Sequence, residues 1–199
     1  MSEKIIVLNI GWMKHYIGLD NDEITDGGSF IREFGYGGEI FNFLPFEGYM
    51  YGCFQPPGRE SVPYINRIIR IERLGATASS AAVDGVLVGW AARKPYEGGT
   101  YIVGWYKNAT VFRQWQKPPV GSGREYKGDQ LGYYVKAKVD DFILLPPERR
   151  LLQVPRASAP ENHGKGGIGQ ANLWFADNGK YNDFKFRQDF VQFIENYRT

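Results

Sequence analysis

VLVGWAARKPYEGGTYIVGWYK, residues 86–107, is a pair of apolar runs joined by a short polar connection containing Glu97, Gly98 and Gly99. Two β-rich runs on either side of a Gly-containing turn predict an antiparallel hairpin. A turn centred between Glu97 and Gly98 would set Trp90 directly opposite Trp105, with both indoles on one face. Any even-length loop keeps that parity, because side chains alternate with period two. An odd loop or a bulge would split the pair. Gly-Trp occurs a third time at Gly11-Trp12, and all three copies close apolar runs. A Gly beside a large ring removes a Cβ and lets another group approach closely. Such rings suit a pocket for something planar, although large aromatics are first of all core residues.

Working outward, the chain reads as predominantly β. Strands are predicted at Ile5 to Trp12, Glu39 to Leu44, Tyr49 to Gln55, Arg67 to Leu74 and Tyr133 to Val139. A polar, Gly-rich stretch from His15 to Gly38 reads as a long loop, and loops of that length tend to carry function. Its acidic residues, Asp20, Asp22, Glu23 and Asp26, lack the Gly and the terminal Glu of a calcium loop. Helix appears only at the end. Phe184, Phe186, Phe190, Val191, Phe193, Ile194 and Tyr197 recur at helical spacing over Tyr181 to Tyr197, with Asn182 or Asp183 as the cap. The fold class expected is therefore α+β, mostly strand, a bent sheet or β-barrel with a C-terminal helix. The 199 residues suffice for one core and form one domain, either whole or cut from a longer multidomain chain.

The single cysteine, Cys53, excludes an internal disulfide framework and falls in an apolar run that suits a buried thiol. The start of the chain resembles neither a signal nor a transit peptide, and no apolar run reaches membrane-spanning length, so a cytoplasmic location without membrane partners is expected. Net charge is +2, unevenly spread. Residues 1–60 hold four Lys/Arg against nine Asp/Glu, and the remainder twenty against thirteen. The basic part interleaves Arg67, Arg70, Arg73, Arg93, Lys94, Lys107, Arg113, Lys117, Arg124 and Lys127 with Trp90, Tyr96, Trp105, Tyr106, Phe112 and Trp115. Cations among aromatics are what a surface needs to neutralise phosphates and stack bases. A solvated outer face would give the same alternation.

Catalytic patterns are sparse. His15 and His163 have no partner at metal-ligand spacing, the serines lack a nucleophile-elbow context, and Glu125-Tyr126-Lys127 matches a nuclease triplet only in outline. Gly164 to Gly169 is not a phosphate loop, lacking the Lys-Ser/Thr ending. It leads instead into Gln170, Asn172 and Trp174, where an amide can read a base edge by both donating and accepting. No residue pattern asks for a metal or a cofactor.

The segment Val86 to Arg113, with its Val-Leu-Val-Gly-Trp and Ile-Val-Gly-Trp runs about a Gly-Gly turn, resembles the central hairpin of PUA-like barrels of the EVE and YTH type. The overall plan is similar to the N-terminal specificity domains of modification-dependent (type IV) restriction systems. The resemblance implies a non-catalytic DNA-binding module that flips a modified base into an aromatic pocket, with a nuclease or NTPase attached or associated. On that reading the base would meet Trp12, Trp90, Trp105, Tyr106, Asn108, Asn172 and Trp174, and the phosphates Arg93, Lys94, Lys107, Arg113, Lys117 and Arg124. Two other classes stay open: a nuclease or nucleotide-processing enzyme using Asp84, Glu125 or Asp129, and a carbohydrate-binding module stacking sugars on tryptophan.

Overall fold

The computed structural model describes residues 4–26, 29–59 and 61–198. Among the described residues there are ten strands: β1 (Lys4–Ile10), β2 (Pro45–Phe46), β3 (Tyr49–Gly52), β4 (Ala82–Arg93), β5 (Thr100–Gln116), β6 (Glu125–Tyr126), β7 (Asp129–Gln130), β8 (Tyr133–Lys138), β9 (Phe142–Leu144) and β10 (Leu173–Trp174). A short helix α1 (Ser29–Phe34) lies in the early loop, and α2 (Tyr181–Asn196) is the C-terminal helix. Eight strands form one mixed, open sheet in the order β10-β1-β4-β5-β8-β3-β2, with β9 also on β5. The β1–β4 pair is parallel and the others are antiparallel. The remaining two, β6 and β7, make a separate small ribbon.

The sheet bends along β5, whose 17 residues change partners midway. Gly104 to Tyr106 pair with β9, whereas Thr110, Val111 and Gln116 pair with β8. Asn108 sits at the change with φ +47°, a left-handed conformation that suits Asn better than most residues. Its Nδ2 donates to Asp141 Oδ1 at 3.0 Å.

The hairpin forms, and its loop is even in length, since Arg93 pairs with Thr100. The tryptophans nevertheless do not share a face. A register shift between Trp90 and Ala91 brings Trp90 opposite Gly104 and Trp105 opposite Gly89. One bulged residue reverses the alternation of everything beyond it. Trp90 therefore packs with Tyr106, Val88 and Ile10 on one side of the sheet, and Trp105 with Ile102, Leu145 and α2 on the other. The glycines admit the protein's own groups: a Cβ at Gly89 would lie 2.9 Å from the Phe190 ring, and one at Gly104 only 2.4 Å from the Ile143 carbonyl oxygen. Because that oxygen belongs to the β9 backbone, Gly104→Ala is expected to cost about 3 kcal/mol by forcing β9 away, read as a lowered urea midpoint.

Helix α2 forms one residue shorter than expected and buries Phe186, Phe190 and Ile194, spaced by four, while Phe184 faces solvent. Its cap is Lys180. Asp183 stands at the third helical position, where Oδ2 accepts from the Lys180 N–H at 2.9 Å and Oδ1 from Trp174 Nε1 at 3.1 Å. Two predicted strands are absent. Glu39 to Leu44 contains a 3-10 turn, Gly38–Phe41, and Arg67 to Leu74 ends in another, Ile71–Leu74. In the first, Asn42 replaces a strand neighbour, its side chain exchanging two hydrogen bonds with the Cys53 backbone. Within the early loop, Asp22 accepts from the N–H groups of Lys14, His15 and Tyr16, so this acid organises a turn. Positions 27–28 of that loop lie outside the described residues. No helix among the described residues is long and apolar enough to cross a membrane.

Candidate functional site

A cavity of about 350 Å³ opens among the end of β1, the Tyr36–Glu39 segment, the end of β3 and the ribbon β6–β7. That volume is at the lower end of the range for small-molecule sites. Its apolar wall comes from Ile10, Ile31, Phe54, Ile65, Leu131 and the indole of Trp115. Polar groups interrupt the wall at Asn9, Asn172, Gln55, Glu39, Asp129 and Gln130. Apolar lining with a few placed polar groups is the usual make-up of a small-molecule or cofactor site.

Each wall has a structural cause. Trp115 lies near the end of β5 against Gly132, where a Cβ would come within 2.3 Å of the indole. Tyr36 is fixed by its hydroxyl, which donates to Asp129 Oδ2 at 2.5 Å, and by an edge contact with Tyr126 at 4.9 Å between centroids. The bond to Asp129 is the main reason the Tyr36 phenol titrates higher than usual. Asn172 Nδ2 donates to the Gln55 carbonyl at 3.3 Å, and Asn9 Nδ2 to Asn172 Oδ1 at 3.4 Å. The Gln55 carbonyl can only accept, so this relay fixes both amides and leaves Asn9 Oδ1 as a buried acceptor without a partner. Trp115 Nε1 is likewise a buried donor without a partner.

Glu39 is the most unusual member. Only 7% exposed, it has no ion-pair partner among the described residues. Burial raises its pKa above the ordinary carboxylate value. Gly37 makes room for it, since a Cβ there would sit 2.3 Å from Glu39 Oε2. Neighbouring Cys53 is also buried, and burial pushes its thiol up to about 12. Alkylation of Cys53 at pH 8 is therefore expected to be at least tenfold slower than in urea-unfolded chain, measured by mass spectrometry.

Beneath the cavity lies Arg124, 2% exposed. Its Nε donates to Leu131 O, one terminal nitrogen to Phe41 O and Tyr51 O, and the other to Gly38 O and Gly132 O. All five guanidinium protons are used. Arg124 thus ties three segments of the pocket wall together and has no donor left for a phosphate.

The expected site residues scatter. Trp90, Trp105, Tyr106 and Trp174 are buried, at most 4% exposed, and belong to the two core clusters; none lines the cavity. Tyr106 also donates its hydroxyl to the Asn42 carbonyl. Trp12 is half-buried, its ring covered by the Arg150 guanidinium at 4.5 Å. Asn108 and Lys107 border a shallow groove beside α2 with Val191 and Glu195, and Arg93 borders another with Thr25 and Asp26. Lys94 pairs with Glu97, and Arg113 with Glu72 at 2.6 Å and with the Ser80 and Thr77 carbonyls. Lys117 is exposed two residues beyond Trp115. Of the nominated base readers, Asn172 alone reaches the cavity.

A basic groove of about 620 Å³ adjoins it, containing Arg59, Arg67, Arg70 and Arg73 with Leu173 and Phe175. It meets the cavity through chain neighbours: Ile65 and Asn172 line the one, Asn66 and Ala171 the other. Arg67 is committed to the Pro56, Arg59 and Val62 carbonyls and Arg73 to Asp177 and Asn178, while Arg59 and Arg70 are exposed. Sequence reasoning placed Trp115 among the basic-aromatic mixture but not in the cage, because it lacks the Gly-Trp context. Of the acids considered for catalysis, Asp129 borders the cavity, whereas Asp84 accepts from Thr110 Oγ1 at 2.5 Å on β4. No group of three His, Cys, Asp or Glu placed to hold a metal occurs among the described residues. No family model matches the chain, and neither a curated protein nor a solved structure is similar to it.

Proposed function

We propose that the protein is a PUA-like DNA-binding module that recognises a modified base extruded from a duplex, and that the base enters the Trp115 cavity. The observation that carries this reading is an apolar cavity of about 350 Å³ with an indole wall, four amides and a buried carboxyl, directly beside an arginine groove. Extrusion costs a few kcal/mol of stacking, and an aromatic wall returns about 1–3 kcal/mol per base. Arg59 and Arg70 in the groove, with Lys117, supply the phosphate contacts that hold the flanking backbone and make binding salt-dependent. An attached or associated nuclease or NTPase would act on the event that this module detects.

Fluorescence anisotropy with duplexes that carry unmodified, methylated or hydroxymethylated bases tests the reading. One modified duplex is expected to bind tightest, and Trp115→Ala to weaken it about 10–100-fold at a temperature where circular dichroism shows the variant still folded. Absence of binding to every duplex at low salt would overturn the proposal, and salt-insensitive binding to a neutral glycan would replace it.

A further inference from the structure

Resting on that reading, we infer that Ile68 is the side chain that enters the base stack where the extruded base has left, with Ile65 sealing the lip of the cavity beside it. Extrusion leaves a gap in the duplex, and an apolar side chain that fills the gap replaces part of the lost stacking. Such a wedge must be exposed, stiff, carried on a fixed loop and placed between the pocket and the phosphate contacts. Ile65 is 42% exposed and lines the cavity, and Ile68 is 51% exposed and lines the arginine groove. No other large, exposed apolar side chain among the described residues lines either hollow. The two are three residues apart, at most about 10 Å of chain, so they stand on the boundary between cavity and groove. One exposed isoleucine on a surface is ordinary. Two on the edge where an aromatic cavity meets a row of arginines form an apolar tip set among cations.

The chain around them is built to hold them out. From Ile68 to Ile71 burial alternates: Ile69 and Ile71 are wholly buried, whereas Ile68 and Arg70 are exposed. An outward position in such a run ordinarily takes a polar residue, and Ile68 departs from that pattern. Arg67 pins the loop from within. Its Nε donates to the Val62 carbonyl at 3.0 Å, and its two terminal nitrogens donate to the carbonyls of Pro56 at 3.0 Å and Arg59 at 3.2 Å. Gly58 clears the space for it, since a Cβ there would lie 2.6 Å from Arg67 Cδ. The Tyr134 hydroxyl donates to the Arg67 carbonyl at 3.1 Å and the Ile69 N–H to the Arg113 carbonyl at 2.9 Å, which ties the loop to β8 and β5. A loop fixed before binding loses little freedom on binding, and isoleucine, branched at Cβ, has few rotamers to lose. Arg59 precedes the pair in the chain and Arg70 follows it. Both are exposed and in no ion pair among the described residues, so their charge is available to the backbone on either side of the gap. An apolar tip between two cations matches a base stack between phosphates.

The test titrates the protein by anisotropy with the tightest-binding of the methylated and hydroxymethylated duplexes, and with the same modified strand alone. A wedge matters only where a stack must be replaced. Ile68→Ala is therefore expected to weaken duplex binding about tenfold and single-strand binding by less than about twofold, whereas Trp115→Ala weakens both. A 2-aminopurine placed beside the modified base brightens when its neighbour leaves the stack. At saturating protein its plateau is expected to fall in Ile68→Ala and to return in Ile68→Leu, which restores the apolar bulk. Should the alanine variant lose structure by circular dichroism, Ile68→Thr gives the same comparison, because it keeps the branch at Cβ and loses the apolar tip. Equal weakening of duplex and single strand, an unchanged duplex affinity or an unchanged plateau overturns the inference. If Trp115→Ala still weakens both forms in those cases, the base-binding reading stands; if that variant is neutral as well, both are removed.

Discussion

Arg124→Met is expected to be the most damaging single substitution in the molecule, lowering stability by about 4 kcal/mol or more in urea denaturation at pH 7. Methionine keeps much of the volume but leaves the carbonyls of Gly38, Phe41, Tyr51, Leu131 and Gly132 without the donor that now joins them. A buried unsatisfied polar group costs about 1–3 kcal/mol, and relaxation will recover only some of that for five acceptors clustered around one site. Arg124→Lys should not rescue, because three ammonium protons on one nitrogen cannot reach five carbonyls facing a planar fork. Domain stability is typically about 5–15 kcal/mol, so the Met variant will be partly unfolded at 37 °C. A variant as stable as the parent would mean that Arg124 is free to serve elsewhere, and its assignment as a structural post would be wrong.

Trp90→Ala comes next, with a loss of about 4 kcal/mol, and Trp105→Ala is expected to lose about as much. Both indoles are almost wholly excluded from water. Trp90 lies against Tyr106, 5.2 Å between centroids, and so close to Gly52 that a Cβ there would overlap the ring at 2.3 Å. Trp105 instead holds α2, meeting Phe193 at 6.0 Å and Tyr197 at 5.3 Å. The two variants should therefore fail differently. Trp90→Ala opens the main core, whereas Trp105→Ala should first free the C-terminal helix, seen as early hydrogen exchange in residues 181–196. Loss of DNA binding in either would report unfolding and not a missing cage residue.

The hairpin and the terminal helix were legible in the sequence because each is local: alternation within 86–107 and a four-residue repeat of Phe186, Phe190 and Ile194. The sequence did not carry the register shift at Trp90/Ala91, which has no residue signature and yet sends the two indoles to opposite faces. Arg124 looked like a phosphate ligand since it stands in a basic stretch, and only the closing of β8, β3 and the Gly38–Phe41 turn around it turns a surface residue type into a core post. Glu39 was hidden inside an apolar run, where a strand reading would have pointed it to solvent. The cavity itself draws on residues from 9 to 172, a separation that no pattern in one chain displays. Asn172, an amide after a Gly-rich lead, does border the cavity, but its Nδ2 is spent on the Gln55 backbone carbonyl.

The most direct measurement is the indole N–H region of a nitrogen-15 spectrum, in which five tryptophans give five resolvable signals. The protein is titrated with the duplex that binds it tightest. Base entry into the cavity predicts a large shift of the Trp115 signal, whose ring lines the cavity, with those of Trp90, Trp105 and Trp174 nearly still. An unchanged Trp115 signal at saturation, with shifts gathered around Arg93 or around Lys107 and Asn108, would contradict the account and move the binding surface to the outer face of the hairpin.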